Sequence, residues 1–144
     1  MVLLNIDPIL TGPFLAALDA MGHSDSVVIA DAHFPAARLA RERPVIDLPM
    51  ASTPRVLRAV CSVIPPDDAP GLDLMAAPGD SLLDVQQELV AAASLEEDGY
   101  REVDRFDFYD LAAEAFLIVR TGETRIYGNA LLRKGVVPHG GFDD

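Results

Sequence analysis

The chain has 144 residues, half of them apolar, which is the usual length of one domain and enough to bury a core. Its 23 acidic and 11 basic residues give a net charge of −12, which disfavours nucleic acid and anionic membrane surfaces as partners and leaves neutral or cationic ligands. A lone cysteine, Cys61, excludes an intramolecular disulfide and a cysteine-rich zinc site, and no run approaches the roughly 18 apolar residues of a membrane span.

Apolar, β-branched runs alternate with helical patterns along the chain, which favours an α/β fold. The first helix is predicted to begin near Pro13, since proline suits a first turn, and to end at Gly22. The run at residues 26–30 is typical of a buried parallel strand. Further strands are predicted at residues 45–48, 72–76, 101–105 and 116–120. We therefore expect a single domain over residues 1–144, with three α/β/α layers around a mostly parallel or mixed sheet.

Three more helices are predicted from their start signals: residues 54–64, a segment from Asp80 or Ser81 to about residue 95, and a segment capped by Asp107. Prolines at 65 and 66 forbid continuation of the second helix, and residues 65–71 are predicted to form a surface loop. Residues 138–144 are predicted to be a frayed tail. The first residues lack a basic segment followed by a long apolar stretch, so we expect a cytoplasmic protein.

Polar residues stand at both ends of the strand predicted at 26–30. His23 precedes it, where an exposed imidazole could give and take protons, although a surface turn histidine would look the same. Asp31 follows it, and its carboxylate could accept hydrogen bonds from sugar-type hydroxyls or hold a histidine, or simply cap a turn. His33 in the same loop raises the question of a metal, which we do not expect because a His-x-x-x-His motif and a cysteine pair are both missing.

A second polar group lies near the C-terminus. A phenol, a flexible backbone and an amide follow one another at Tyr127, Gly128 and Asn129, and these groups together suit a polyhydroxylated neutral ligand. A tyrosine in a turn, however, more often packs against its neighbours than binds a ligand. Arg105, just before a predicted helix, could donate to ligand hydroxyls or could form a surface ion pair. We expect these residues and those flanking the 26–30 strand to be two halves of one polar site.

Five motifs occur in order along the chain: Met21-Gly22-His23-x-Asp25, Asp31-Ala32-His33-Phe34-Pro35-Ala36, Arg105-Phe106-x-Phe108-Tyr109, Thr121-Gly122-Glu123, and Tyr127-Gly128-Asn129-x-x-Leu132-x-Lys134-Gly135-Val136. Together they resemble the RbsD/FucU sugar-mutarotase family, which contains fucose mutarotase and ribose pyranase. The resemblance covers nearly the whole chain. Its Asp-Ala-His-Phe-Pro motif resembles the fucose branch, whereas ribose pyranases typically carry a histidine-free sequence there.

The resemblance implies that the protein interconverts the α and β anomers of a reducing monosaccharide, L-fucose in the first place, through its open-chain form. Matched by motif, it implies that His23 is the proton donor, that Asp31 and Arg105 bind the substrate, and that residues 127–129 complete the pocket. The role of His33 stays open. The resemblance further implies no cofactor and no metal, and a ring-shaped homo-oligomer, often a decamer, with the pocket at or near a subunit boundary.

Three alternatives stand beside this interpretation. A D-ribose pyranase of the same family would differ only in its preferred sugar. A non-catalytic monosaccharide-binding accessory protein would keep Asp31, Arg105 and Asn129 but would not need His23. A purely structural ring protein would show neither sugar binding nor anomer exchange.

Overall fold

The structure, a computed structural model, describes residues 2–68 and 70–139. The strands are β1 (Ser26–Ala30), β2 (Val45–Leu48), β3 (Leu72–Met75), β4 (Tyr100–Val103), β5 (Leu117–Thr121) and β6 (Ala130–Arg133). The helices are α1 (Gly12–Ala20), α2 (Ala36–Ala40), α3 (Thr53–Cys61), α4 (Asp84–Ala92) and α5 (Arg105–Ala113).

The six strands form one mixed sheet in the order β2-β5-β1-β6-β3-β4. Strand β5 pairs in parallel with both β1 and β2, and β3 pairs in parallel with β4. Strand β6 runs antiparallel to both of its neighbours, β1 and β3. The C-terminal ends of the other five strands therefore meet the N-terminal end of β6 at one border of the sheet, which we call the carboxyl edge; the opposite border is the amino edge.

Helices cover both faces of the sheet, and successive side chains of β1 point alternately to the two faces. Val27 and Ile29 pack into a core with α1, α3 and α4, while Val28 and Ala30 pack into a second core with α2 and α5. Successive residues of a strand point to opposite faces, so a strand buried on both sides is apolar throughout. The structure confirms the predicted three-layer α/β/α architecture with a mixed central sheet.

Helix α3 shows how local sequence sets an element. Ser52 caps its N-terminus by accepting a hydrogen bond from the Arg55 N–H at 3.3 Å, and Pro54 occupies the first turn. Val56 and Val60 are fully buried against the sheet. Cys61 ends the helix beside the same core, where burial raises the pKa of its thiol to about 12.

Several predicted boundaries were wrong. The strand predicted at 101–105 ends at Val103, and α5 begins at Arg105 because Asp104, not Asp107, caps it by accepting from the Phe106 N–H at 3.0 Å. Helix α4 begins at Asp84 rather than near residue 80. Helix α2 and strand β6 were not predicted, since five and four residues carry too little periodicity to be recognised.

The ends of the chain complete the description. Of the predicted tail at 138–144, residues 140–144 lie outside the described residues, and the single-domain assignment remains a prediction. In the part of the chain that the structure describes, every helix is too short or too polar to cross a bilayer.

Candidate active site

The carboxyl edge gathers polar side chains from segments far apart in the sequence. Asp31 directly follows β1, Asn129 directly precedes β6, and Arg105 opens α5 just after β4. Because β6 is antiparallel to β1, with Ile29 opposite Ala130, its first residues meet the last residues of β1. The sheet topology thus brings together residues that are about 100 positions apart.

Asp31 and Asn129 form a reciprocal pair and are almost completely buried, at 3% and 2% exposed. The Asp31 backbone N–H donates to Asn129 Oδ1 at 2.7 Å, and Asn129 Nδ2 donates to Asp31 Oδ2 at 3.0 Å. The His33 N–H donates to Asp31 Oδ1 at 3.0 Å. Burial raises the pKa of Asp31, and these hydrogen bonds offset only part of the rise. The site thus contains a buried carboxylate of fixed orientation.

The His33 ring also lines the pocket at this edge. Its Nε2 lies 3.2 Å from the backbone carbonyl oxygen of Thr124. A carbonyl oxygen only accepts hydrogen bonds, so Nε2 carries the proton of this contact. The Nδ1 of the neutral ring is then left as an acceptor.

The loop from β5 to β6 is held against β1 by its own polar groups. Thr121 Oγ1 donates to the Ala30 carbonyl at 2.8 Å, and the Glu123 carbonyl accepts from the Ala32 N–H at 2.8 Å. The Glu123 carboxylate accepts from Arg125 Nε at 3.0 Å and from Nη2 at 2.9 Å. The Arg125 hydrogen bond lowers the pKa of Glu123, which keeps the pair charged.

Tyr127 and Gly128 lie near the end of the same loop, just before β6. Tyr127 has a φ of 61°, a left-handed conformation that costs a bulky residue on the order of 1–3 kcal/mol. A Cβ at position 128 would lie 3.0 Å from the Arg125 carbonyl oxygen and from Glu123 Cγ, so a side chain there would require these neighbours to move by a few tenths of an ångström. Backbone strain of this kind clusters at functional sites, and Tyr127 lines the pocket.

Arg105 projects from the first turn of α5 and is exposed. Its guanidinium carbon lies 4.7 Å from the centroid of the Phe106 ring, a cation–π contact. None of the ion pairs among residues 2–68 and 70–139 involves Arg105, so the surface ion pair considered above does not form there. Its donors are available to a ligand.

Asp31, His33, Arg105, Tyr127 and Asn129 line a pocket of 210 Å³, below the roughly 300–1,000 Å³ of sites for drug-sized ligands, and Gly128 lies between two of them in the chain without lining it. Five lining residues were not predicted as site residues: His33, whose role was left open, and Phe34, Met75, Tyr109 and Ile126. Phe34 and Tyr109 stand inside two of the motifs, and Met75 ends a strand at this edge, which were the available signals. Within the described ranges, no three His, Cys, Asp or Glu side chains are grouped to hold a metal ion.

His23 is not in this pocket. It precedes β1 and lies at the amino edge, whereas Asp31 follows β1 at the carboxyl edge. A five-residue strand alone spans about 16 Å, so one chain cannot bring the two side chains together. The two halves expected to form one site therefore meet only in part within a chain: Asp31 lies with Arg105, Tyr127 and Asn129, and His23 does not join them.

At the amino edge His23 has a different partner. Its side chain is 60% exposed, and Nε2 lies 3.0 Å from Asp67 Oδ1. The second carboxylate oxygen of Asp67 accepts from Ser24 Oγ at 2.6 Å. Asp67 was predicted only as part of a surface loop, and nothing in the sequence links it to a histidine 44 positions away.

Comparisons with known proteins agree with the motifs. The model of the RbsD / FucU transport protein family matches residues 4–137. The fucose mutarotase of Danio rerio is 35% identical over 147 residues, covering 95% of each chain. The structure of FucU from Bifidobacterium longum has a TM-score of 0.84 and 31% identity, covering 93% of this chain and 99% of that one. The fucose mutarotase of Streptococcus pneumoniae, solved with L-fucose, has a TM-score of 0.82 and 28% identity, covering 94% and 100%. The chain belongs to the RbsD/FucU family.

Proposed function

We propose that this chain is a mutarotase, a carbohydrate isomerase that interconverts the α and β anomers of L-fucose. The observation that carries the proposal is the buried Asp31–Asn129 pair, which shares a small pocket with Arg105 and Tyr127. Similarity to a fucose mutarotase over 95% of the chain supports the choice of reaction and of sugar. The net charge of −12 suits a neutral ligand.

Mutarotation needs two proton transfers and no change of oxidation state. The anomeric hydroxyl loses its proton as the bond from C1 to the ring oxygen breaks, and the ring oxygen gains a proton. Reclosure on the other face of the aldehyde carbonyl gives the second anomer. Positioned acids and bases contribute about 10²- to 10⁴-fold per proton transfer, so side chains alone can accelerate this reaction without a cofactor.

The proposed roles follow from the chemistry of each group. The Asp31 carboxylate accepts hydrogen bonds from sugar hydroxyls, and Arg105 donates to them. Asn129 holds Asp31 in place through both ends of its amide. Tyr127 and Gly128 close the pocket, where a phenol can follow a hydroxyl that moves as the ring opens. His23 is the proposed general acid.

The position of His23 requires a second copy of the chain. Since His23 and the pocket lie at opposite edges of the sheet, His23 of one copy can serve only the pocket of another. A contact of this type, repeated head to tail with a rotation that closes, gives a ring. We therefore propose a ring-shaped homo-oligomer, with the ten subunits that the family resemblance implies. We also propose that the protein is located in the cytoplasm.

Exposed apolar side chains at both edges support this arrangement. Phe106, which contacts the pocket-lining Arg105, and Ile126, which lines the pocket, are 61% and 63% exposed. Val136 and Val137, which follow β6 at the amino edge, are 66% and 56% exposed. Burying the first pair against the second would remove apolar surface from water in each copy. Light scattering should give a ring mass, and a monomer at micromolar concentration would contradict the proposal.

Anomer-exchange NMR tests the reaction directly. Exchange between the anomeric protons of L-fucose is expected to be faster with the intact protein than without it, and the His23→Ala variant should lose the acceleration. D-ribose is the comparison sugar, and faster exchange of D-ribose than of L-fucose would favour a ribose pyranase. Binding of L-fucose without acceleration by the intact protein would favour the accessory protein.

Mixing two inactive variants tests the shared site. His23→Ala and Asp31→Asn are each expected to lack activity, but after dissociation and reassembly together some sites contain an intact His23 and an intact Asp31 from different copies. Random assembly restores about a quarter of the sites. The matched control reassembles each variant alone and should stay inactive. Absence of recovery in correctly assembled mixed rings would show that both residues act from one chain.

A further inference from the structure

The chain contains one lysine, Lys134, which follows β6 at the amino edge of the sheet. Its Nζ donates to the Leu18 carbonyl at 2.7 Å and to the Met21 carbonyl at 2.7 Å. Both carbonyls belong to the end of α1, and the last four carbonyls of a helix have no partner within it. The ammonium group therefore caps α1 from a residue that lies 113 positions after Met21.

The end of α1 has no cation of its own, because the last turn of the helix contains no basic residue. A positive charge at this end of a helix is favourable. An ammonium is also compact and has three donors, so it can reach two carbonyls at once, whereas a guanidinium donates from a rigid plane. Every other Lys or Arg position in the chain is an arginine, and the one lysine stands where this geometry is used.

The main chain of Lys134 holds the other side of His23. Its carbonyl accepts from the Ser24 N–H at 2.9 Å, and its N–H donates to the Asp25 carbonyl at 2.9 Å. Met21 precedes His23 by two residues and Ser24 follows it directly, so Lys134 fixes the chain on both sides of His23. The backbone from which the exposed imidazole projects is therefore set by contacts with Lys134.

The segment that carries Lys134 is itself part of the central sheet. Strand β6, which ends one residue earlier, pairs with both β1 and β3. Beyond the strand, Lys134 forms an antiparallel bridge with Pro66, and the Gly135 N–H donates to the Pro65 carbonyl at 2.8 Å. The turn that carries His23 is thus attached to a well-anchored part of the molecule.

We propose that Lys134 is a positioning residue for His23. Its ammonium group holds the end of α1 and its main chain holds residues 24 and 25, so that the imidazole projects in a fixed direction toward the pocket of the neighbouring copy. The inference rests on the proposed function and adds to it a residue that orients the acid without touching the sugar.

The first test compares Lys134→Met with Arg58→Met in the assembled protein. Methionine keeps most of the apolar stem of Lys134 but has no donor for the two carbonyls. Arg58, an exposed residue of α3, is the control for the loss of one positive charge. We expect Lys134→Met to lower the maximal rate of L-fucose exchange at least about tenfold with KM unchanged, since a misplacement of about 1 Å can cost about 10²-fold. Arg58→Met should match the intact protein.

Reassembly of mixed rings gives a measurement that general damage to the fold would not reproduce. Lys134→Met impairs only the His23 half of a site, so mixing it with Asp31→Asn should combine intact His23 halves with intact pockets in about a quarter of the sites. Mixing it with His23→Ala should give no gain over Lys134→Met alone, because both chains have an impaired His23 half.

The ammonium group can also be observed directly in the intact protein, so this measurement serves if Lys134→Met fails to fold. With ¹⁵N-labelled lysine the chain gives one side-chain signal, which needs no assignment. Protons on an exposed ammonium exchange with water too fast to be detected at neutral pH. The Nζ protons of Lys134, held by two carbonyls, should be detected.

The outcomes separate this inference from the proposed function. Failure of the intact protein to accelerate exchange overturns both. If the intact protein is active and His23→Ala is not, an unchanged rate in Lys134→Met, or a raised KM at unchanged maximal rate, overturns the role of Lys134 alone. Recovery with His23→Ala instead of Asp31→Asn, or undetected Nζ protons in the intact protein, would overturn it as well.

Discussion

Replacing Asn129 by alanine tests the central contact of the pocket. The substitution leaves the buried Asp31 N–H without its acceptor and takes one donor from the Asp31 carboxylate. An unsatisfied buried N–H costs about 1–3 kcal/mol, and a hydrogen bond to a charged group contributes about 1.5–3 kcal/mol. We expect the free energy of unfolding at pH 7 to fall by about 3–5 kcal/mol.

The pH dependence of this loss identifies its source. Burial raises the pKa of folded Asp31 above its ordinary value of 3.8. Between the pKa of the unfolded state and that of the folded state, the folded state therefore binds more protons than the unfolded state, and stability decreases as pH rises through this range. Asn129 favours the ionised form, so its removal raises the folded pKa further. The deficit of Asn129→Ala should therefore be largest at neutral pH and narrow as pH falls toward 3.8, leaving the cost of the N–H alone.

The free energy of unfolding is measured by denaturant unfolding followed by far-UV circular dichroism, because the chain has no tryptophan to serve as a fluorescence probe. The protomer concentration is held constant, because the apparent stability of an associating protein depends on it. The matched control is Thr121→Val at the same edge, which removes the hydrogen bonds to the Ala30 carbonyl and from the Glu123 N–H. It changes no hydrogen bond of a carboxylate and should cost the same at every pH. A deficit in Asn129→Ala below about 1 kcal/mol at pH 7, or one independent of pH, would refute the reasoning.

Two further predictions concern the scaffold around the site. A Cβ at Gly122 would lie 1.9 Å from the Pro49 carbonyl oxygen, so Gly122→Ala should lower the free energy of unfolding by at least about 1–3 kcal/mol. The control is Gly12→Ala, which has open space around the new Cβ and should be neutral or stabilising. Equal effects of the two substitutions in denaturant unfolding would contradict this prediction. Burial would raise the pKa of Asp73, but hydrogen bonds from Arg133 and a second arginine hold it below 3.8, so its contribution to stability is lost only as pH falls below that value. Arg133→Met should cost about 1.5–3 kcal/mol, because it removes a hydrogen bond to a charged group while the second arginine keeps its contacts with Asp73. It should also move acid unfolding to higher pH, and an unchanged acid midpoint would show that the Arg133–Asp73 ion pair does not stabilise the fold.

Much of the fold could be predicted because its signals are local. The buried run at 26–30 and the proline-terminated helix near 54 are recognisable from their own residues, and both elements exist within a few residues of the predicted bounds. The start of α5 was misplaced because Asp104 and Asp107 are equally good caps in sequence. Strand β6 was not predicted because a run of four residues carries too little periodicity to be recognised, and it is a strand because it pairs with β1 and β3.

The sequence by itself determined the α/β class, the family, and which residue types carry the chemistry, because motifs and periodicity are properties of neighbouring positions. Only the tertiary structure decided which of those residues meet. The antiparallel course of β6 joins Asp31 to Asn129, and the loop after α3 supplies Asp67 to His23, contacts that span 98 and 44 positions. Strand β1 then separates His23 from the pocket, because an extended strand carries its two ends to opposite edges of the sheet.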